Sequence, residues 1–216
     1  MPQHPPGGFR EDSPRQPELV RTEDLIKSAP TEPEAFLQWS AQRKREEGRF
    51  ELSRGRVVCN MIYASSLHSK VLRNLIIELG RLLDPDRFDT GISDFAVQTP
   101  YGVRSPDVVV EPARARKVSS TTTPIFIAEV LSPSTANVDF TEKLEEYTAI
   151  DTLQTYLVCS QDEPRAWIWA RQADGSWPKG PVESAGRDGA IVLGGLDVEL
   201  SMAAIFRGIP DAPTAE

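Results

Sequence analysis

The 216-residue chain is 39% hydrophobic, enough for one domain with a real core and tight for two. A formal charge of −8 and a pI near 5.0 exclude a protein that coats nucleic acid through bulk positive charge, though not an enzyme that meets nucleic acid in one local groove. The apolar runs fall far short of the ~20 residues a membrane span needs, so no transmembrane segment and no membrane partner are expected.

In chain order, MPQHPPGGFREDSPRQP carries no apolar signal core, and residues 1–30 read as a disordered tail ahead of a single domain over 31–208 and a short tail at 209–216. From Thr31, TEPEAFLQWSAQRKREEG predicts a short helix, with Thr31 as cap, Glu34 completing a capping box and Gly48 ending it. FELSRGRVVCNMI (50–62) predicts a β-hairpin that turns at S-R-G. Residues 66–83 give the clearest helix: Ser65 or Ser66 caps it, D-P at 84–85 stops it, and His68, Leu72, Leu75, Leu79 and Leu82 share one face. Strands follow at 88–98, 105–111 and 125–131, then a helix at about 139–149 with Asp139 as N-cap and Phe140, Leu144 and Tyr147 as its buried stripe. TYLVC (155–159) is another apolar strand, RAWIWARQ with the turn at ADGSW forms a hairpin edge, and 189–206 ends in a small helix around MAAIF. Helix, three strands, helix and strand in that order indicate a mixed α/β or α+β sandwich with extra N- and C-terminal hairpins. Cys59 and Cys159 sit in apolar, strand-like contexts without a C-x-x-C pair. They read as reduced core thiols of a cytoplasmic protein and speak against a structural zinc site.

Two of these strands each hold one acid, Asp107 in RSPDVVV and Glu129 in IFIAEVLSPS. Strands this apolar are covered on both faces, where a lone carboxylate costs several kcal/mol unless a metal, a counter-charge or donors compensate it. Singly, each reads as a strand-end acid that reaches solvent or pairs with a residue such as Arg104. Together, with Ser-Pro beside both, they suit a divalent cation, because Mg²⁺ takes one or two carboxylates plus waters and phosphate oxygens. Lys143 lies about 60° from Phe140 on a helical wheel, at the edge of the buried stripe, while Glu142, Glu145 and Glu146 point away. Its ammonium can therefore aim at the two acids, although a lysine whose stem only covers apolar surface is the commoner case. His68, in the first turn of its helix, is either a satisfied core histidine or a group beside a phosphate or water. Glu51 by itself is an exposed strand charge, and Arg114, Arg116 and Lys117 form a solvated loop with a smaller chance of steering a phosphate backbone.

FELSRGRVV, a helix opening with His68, R-SPD-VVV, AEVLSPST…D…K…EY, TYLVC and W-ARQ-DGSW together resemble the Uma family of restriction-endonuclease-like proteins, in the PD-(D/E)XK nuclease superfamily. The resemblance covers roughly residues 32–207 and implies a restriction-endonuclease-like αβββαβ core, a mixed central sheet flanked by helices. By position, Asp107 resembles the PD aspartate and Glu129 the acid of the (D/E)XK element. The chain departs from that element at Leu131, where a lysine is expected, and Lys143 resembles a lysine migrated to the next helix. Glu51 and His68 match residues that recur in the family's hairpin and first helix and are carried as accessory catalytic candidates. The resemblance thus implies a Mg²⁺- or Mn²⁺-dependent endonuclease acting on DNA or other nucleic acid. Asp107, Glu129 and the Val130 carbonyl would hold the metal, Lys143 would position water or stabilise phosphate, and a homodimer would reach both strands. The competing expectation is a catalytically weak or inactive nuclease-fold module that binds nucleic acid or protein.

Overall fold

A computed structural model of the protein describes residues 21–60, 65–115, 117–132 and 136–211. In chain order these form α1 (Thr22–Ser28), α2 (Pro33–Ser40), β1 (Arg49–Ser53), β2 (Arg56–Asn60), α3 (Ser66–Leu82), β3 (Phe88–Ile92), β4 (Ala96–Thr99), β5 (Gly102–Arg104), β6 (Val108–Pro112) and β7 (Ser120–Thr121). There follow β8 (Phe126–Val130), α4 (Ala136–Phe140), α5 (Glu142–Thr148), β9 (Thr155–Cys159), β10 (Arg165–Ala170), β11 (Val182–Ala185), β12 (Ala190–Leu193), β13 (Val198–Ser201) and α6 (Met202–Ile205). Among the described residues no helix is long and apolar enough to cross a membrane.

A six-stranded sheet in the order β11-β10-β9-β8-β6-β3 is the centre of the molecule. Its pairs are antiparallel except β8–β9, which run parallel because the crossover through α4 and α5 returns the chain to the same end. β6, β8 and β9 read as continuous apolar runs because both faces are covered. Val108, Val110, Phe126, Ala128 and Leu157 pack with Val71, Leu75 and Leu79 of α3, whereas Val109, Ile127, Tyr156 and Val158 pack with Tyr147 of α5 and Trp169. Each fully buried Leu or Val on these faces contributes ~1.5–3 kcal/mol. The expected core order of helix, three strands, helix and strand is thus present as α3, β3, β6, β8, α4–α5 and β9, an α+β arrangement of mixed sheets flanked by helices.

A five-stranded sheet, β2-β1-β5-β4-β7, stands beside it and carries the N-terminal hairpin, which turns at Arg54–Gly55 as expected. At Gly102 (φ +154°) a Cβ would lie 2.1 Å from the Leu52 carbonyl oxygen, so only glycine lets β5 approach β1 this closely. A separate two-stranded sheet, β12-β13, covers the α3 face together with α6.

The elements differ from expectation in four places. The stretch read as tail contains α1, held by Leu25 against Phe36 and Phe50; seven residues are too few to show a period. α2 ends at Ser40, with Pro33 in its first turn and Glu32 at the cap position making no side-chain bond, so neither the Thr31 cap nor a helix to Gly48 forms. The run 88–98 is two strands in different sheets. The chain turns at Ser93 (φ +33°) and folds Phe95 back over Gly91, where a Cβ would meet the Phe95 ring at 2.6 Å. The helix expected at 139–149 is broken at Thr141 (φ −123°, ψ −83°), which puts Asp139 inside α4 and not at an N-cap. On α3 the buried stripe is Val71, Asn74, Leu75, Glu78 and Leu79, with His68, Leu72 and Leu82 half-buried beside it.

Candidate active site

β6 and β8 pair Val108 with Ala128, and one step further along this antiparallel register Asp107 stands opposite Glu129. Both are nearly sealed, at 4% and 3% exposure. Asp107 lies just before β6 begins, so its carboxylate can turn along the strand end, where its Oδ2 accepts the Val130 N–H at 2.9 Å. Glu129 Oε1 accepts from Lys143 Nζ at 2.9 Å and from the Tyr147 hydroxyl at 3.0 Å. Both donors fall on Oε1, and among the described residues Oε2 takes none. Lys143, in the first turn of α5, also lies 2.9 Å from Asp139 Oδ1 across the Thr141 break. The three segments singled out in the sequence therefore converge.

The structure adds a second, fully buried layer that the sequence did not disclose. Arg104 at the end of β5 makes a bidentate pair with Glu146 at 2.7 and 2.8 Å and reaches Glu51 at 3.1 Å. Ser53 donates to Glu146 at 2.6 Å, and the Ser105 amide donates to Glu51 at 3.0 Å. Glu146 is therefore not pointed away from the core, as the wheel suggested, but is 0% exposed. Arg104 serves Glu51 and Glu146, not the Asp107–Glu129 pair. Glu51 is no exposed strand charge; it stands behind the site, off the cavity wall.

Five buried carboxylates, Glu51, Asp107, Glu129, Asp139 and Glu146, share three cations, Arg49, Arg104 and Lys143. That leaves a formal surplus of two negative charges, and the surplus shows in proton affinity. Burial, opposed by Lys143 but reinforced by Asp139, Asp107 and Glu51, pushes the Glu129 carboxyl up to about 8. Burial alone would lower the Lys143 ammonium, but Glu129, Glu51 and Asp139 outweigh it and hold it above the usual lysine value. Glu51 is driven the other way: Lys143, Arg104, the Ser105 amide and Arg49 overcome burial and keep its carboxyl below the usual range. Cys159, at the end of β9, is pushed up to about 12 by burial and then by Asp107, so it stays a thiol and is no nucleophile.

Asp107, Glu129, Val130, Lys143 and His68 all line one cavity of about 910 Å³. His68 follows the Ser65 cap, which accepts its N–H at 3.0 Å. Its Nε2 lies 3.7 Å from Asp107 Oδ2, and its buried Nδ1 has no hydrogen-bond partner among the described residues. Among the described residues no three His, Cys, Asp or Glu side chains converge as a ready metal cage. Two carboxylates, one with an unclaimed oxygen, a strand-end backbone and a two-charge surplus nevertheless fit an ion such as Mg²⁺, which takes few protein ligands and keeps its waters. Arg114 pairs with Glu111 at 3.2 Å and Lys117 is exposed, both away from this cavity; Arg116 falls outside the described residues, as do Pro133 and Ser134 of the SPS motif.

A family model named Uma2, described as "Putative restriction endonuclease", matches residues 33–203. The chain belongs to the Uma2 family. A relative from Synechocystis sp., "Uncharacterized protein slr1290", is 26% identical over 185 residues, which is 82% of this chain and 92% of that one. The crystal structure of "a putative nuclease belonging to DUF820" from Anabaena variabilis superposes with a TM-score of 0.61 at 15% identity, covering 87% of this chain and 97% of that one; at that identity the likeness shows the fold alone. Family and fold are both nuclease-like, and the sequence resemblance to the Uma family holds.

Proposed function

We propose that this Uma2 protein is a Mg²⁺- or Mn²⁺-dependent endonuclease that hydrolyses phosphodiester bonds in DNA. The observation that carries the reading is the meeting of Asp107, Glu129 and Lys143 on one cavity wall, within a cluster two positive charges short of neutral. Restriction-endonuclease-like families generally use divalent metals, and here Asp107, Glu129 and the Val130 carbonyl would hold one. When bound, such a cation polarises the phosphodiester and lowers the pKa of a water. Lys143, fixed between Glu129 and Asp139, supplies positive charge where the phosphate gains negative charge, or holds the water. His68 can hold or move a proton at Nε2 beside Asp107. Glu51 acts through Arg104 and the Ser105 amide, keeping β1 and β5 in place under the site. Among the described residues one chain carries one such carboxylate pair, so cutting both strands of a duplex in one encounter calls for a second copy, and a homodimer is proposed for that step.

The test is incubation of plasmid and single-stranded DNA with the purified protein and Mn²⁺, beside an Asp107→Ala control. Cleavage that the substitution abolishes supports the reading; DNA left equally intact by both proteins overturns it. One observation favours a second reading, a binding module without turnover: Lys143 is already engaged at 2.9 Å by two carboxylates. In that case Mn²⁺ produces no rise in melting temperature.

A further inference from the structure

The cavity that holds the carboxylate pair is walled by more than the groups assigned to chemistry. α3 contributes Leu72, Arg73, Ile76 and Ile77, α2 contributes Leu37, and the segment between α2 and β1 contributes Arg43 and Lys44. Setting aside His68 and the floor residues Asp107, Glu129 and Lys143, the wall carries four cations, Arg43, Lys44, Arg73 and Arg49, the last also facing Asp107 at 3.9 Å, against one acid, Asp94. In a chain of formal charge −8 this is a local reversal of sign. The Arg43 guanidinium lies 5.0 Å over the Trp39 ring, and its Nε donates to the Trp39 carbonyl at 3.4 Å. Between these cations the wall mixes apolar side chains, Leu37, Leu72, Ile76 and Ile77, with polar ones such as Ser40, Asn60 and Ser69, and Ile77 is 56% exposed.

We propose that this cleft admits a single, unpaired nucleic-acid strand, with its phosphates on Arg43, Lys44, Arg49 and Arg73 and its bases against Leu72, Ile76 and Ile77. The proposal rests on the nuclease reading and adds the form of the substrate. In sequence-tolerant single-strand grooves cations follow the backbone and aromatic side chains stack the bases; here the aliphatic side chains of Leu72, Ile76 and Ile77 offer apolar contact in place of stacking. Burial of the carboxylate pair argues against a rigid double helix as the form that enters. The acids it would have to reach are only 3–4% exposed. A single strand can thread to them, as can a nucleotide extruded from a duplex at the cost of unstacking.

The test measures fluorescence anisotropy in EDTA, so that binding is read without cleavage. The probes are labelled oligo-dT and oligo-U of about 12 nucleotides, within the ~4–16 that such grooves hold, and a blunt hairpin duplex of equal charge. Oligo-dT or oligo-U is expected to bind at least an order of magnitude tighter than the hairpin, and the tighter of the two identifies DNA or RNA as the natural strand. Arg73→Ala and Arg43→Ala should each reduce the slope of log K against log salt by about 0.7. Ile77→Ser, at an exposed position that folding tolerates, should weaken binding with the slope unchanged. A smaller preference than tenfold, or slopes unmoved by the arginine variants, overturns the proposal. A Mn²⁺ melting shift on the same preparation separates the two readings: a shift without strand preference removes this inference alone, and strand preference without a shift removes the nuclease reading.

Discussion

Glu129 is where the chemistry of the site and the pH meet. Its carboxyl is pushed up to about 8, from an ordinary value of 4.5, first by burial and then by the acids around it. Between those two values the folded protein holds a proton that the unfolded chain has released. Stability from this group is therefore full below about 4.5 and lost as the pH rises through about 8. A cation bound to the same carboxylate must displace that proton, so its affinity should climb with pH and level off above about 8. We expect the Mn²⁺-induced rise in melting temperature to be small at pH 6, to grow by pH 8 and then to flatten, and Glu129→Gln to remove both the rise and its pH dependence. A shift independent of pH would place the ion elsewhere. Asp107 and Glu129 were legible in the sequence because each is an acid in an otherwise apolar segment, and Lys143 because it stands at the edge of its helix's apolar stripe. Asp139 and Glu146 were not, because an acid on a helix full of acids carries no such contrast, and their burial follows from partners 4 and 42 residues away.

At the scale of elements, Arg104 is a strut. Its guanidinium joins β5 to Glu51 of β1 and to Glu146 of α5, one turn beyond Lys143, so the helix that carries the lysine is clamped to the second sheet. Removing one member of a buried ion pair leaves an uncompensated charge at a cost of about 3–5 kcal/mol. Arg104→Met should destabilise the protein by that order in urea denaturation. Glu146→Met added to it should recover part of the loss, giving a coupling of about 1–3 kcal/mol; strictly additive effects would mean that the strut carries no load. Most of the element order was readable from periodicity, since α3, β8 and β9 are long or uniformly apolar. What escaped was set by tertiary contact: the turn at 93–95 depends on Phe95 lying over Gly91, and α1 exists because Leu25 finds Phe36 and Phe50.

For the whole molecule, the decisive quantities are one carboxylate pair among the described residues of each chain and a cleft whose wall opposes the protein's own charge in sign. An acidic chain would repel DNA at long range while the wall of Arg43, Lys44, Arg49 and Arg73 would attract it, so encounter should be slow and strongly salt-dependent. A chain with one site cuts one strand per visit. On supercoiled plasmid with Mn²⁺ at low salt, and at protein concentrations too low for a homodimer, open circles should therefore accumulate first and linear molecules only later, by a second independent cut. Raising salt from 50 to 200 mM should slow the first step by one or more orders of magnitude, because about four phosphate contacts are screened together. A homodimer acting in concert predicts the opposite order, linear product from the outset with few open circles, at protein concentrations where the dimer forms. Gel analysis of the time course at two protein concentrations distinguishes them. A switch from nicked to linear product as concentration rises would show that two copies align their carboxylate pairs on opposite strands, whereas nicking at every concentration would leave each chain working alone on whatever single strand enters its cleft.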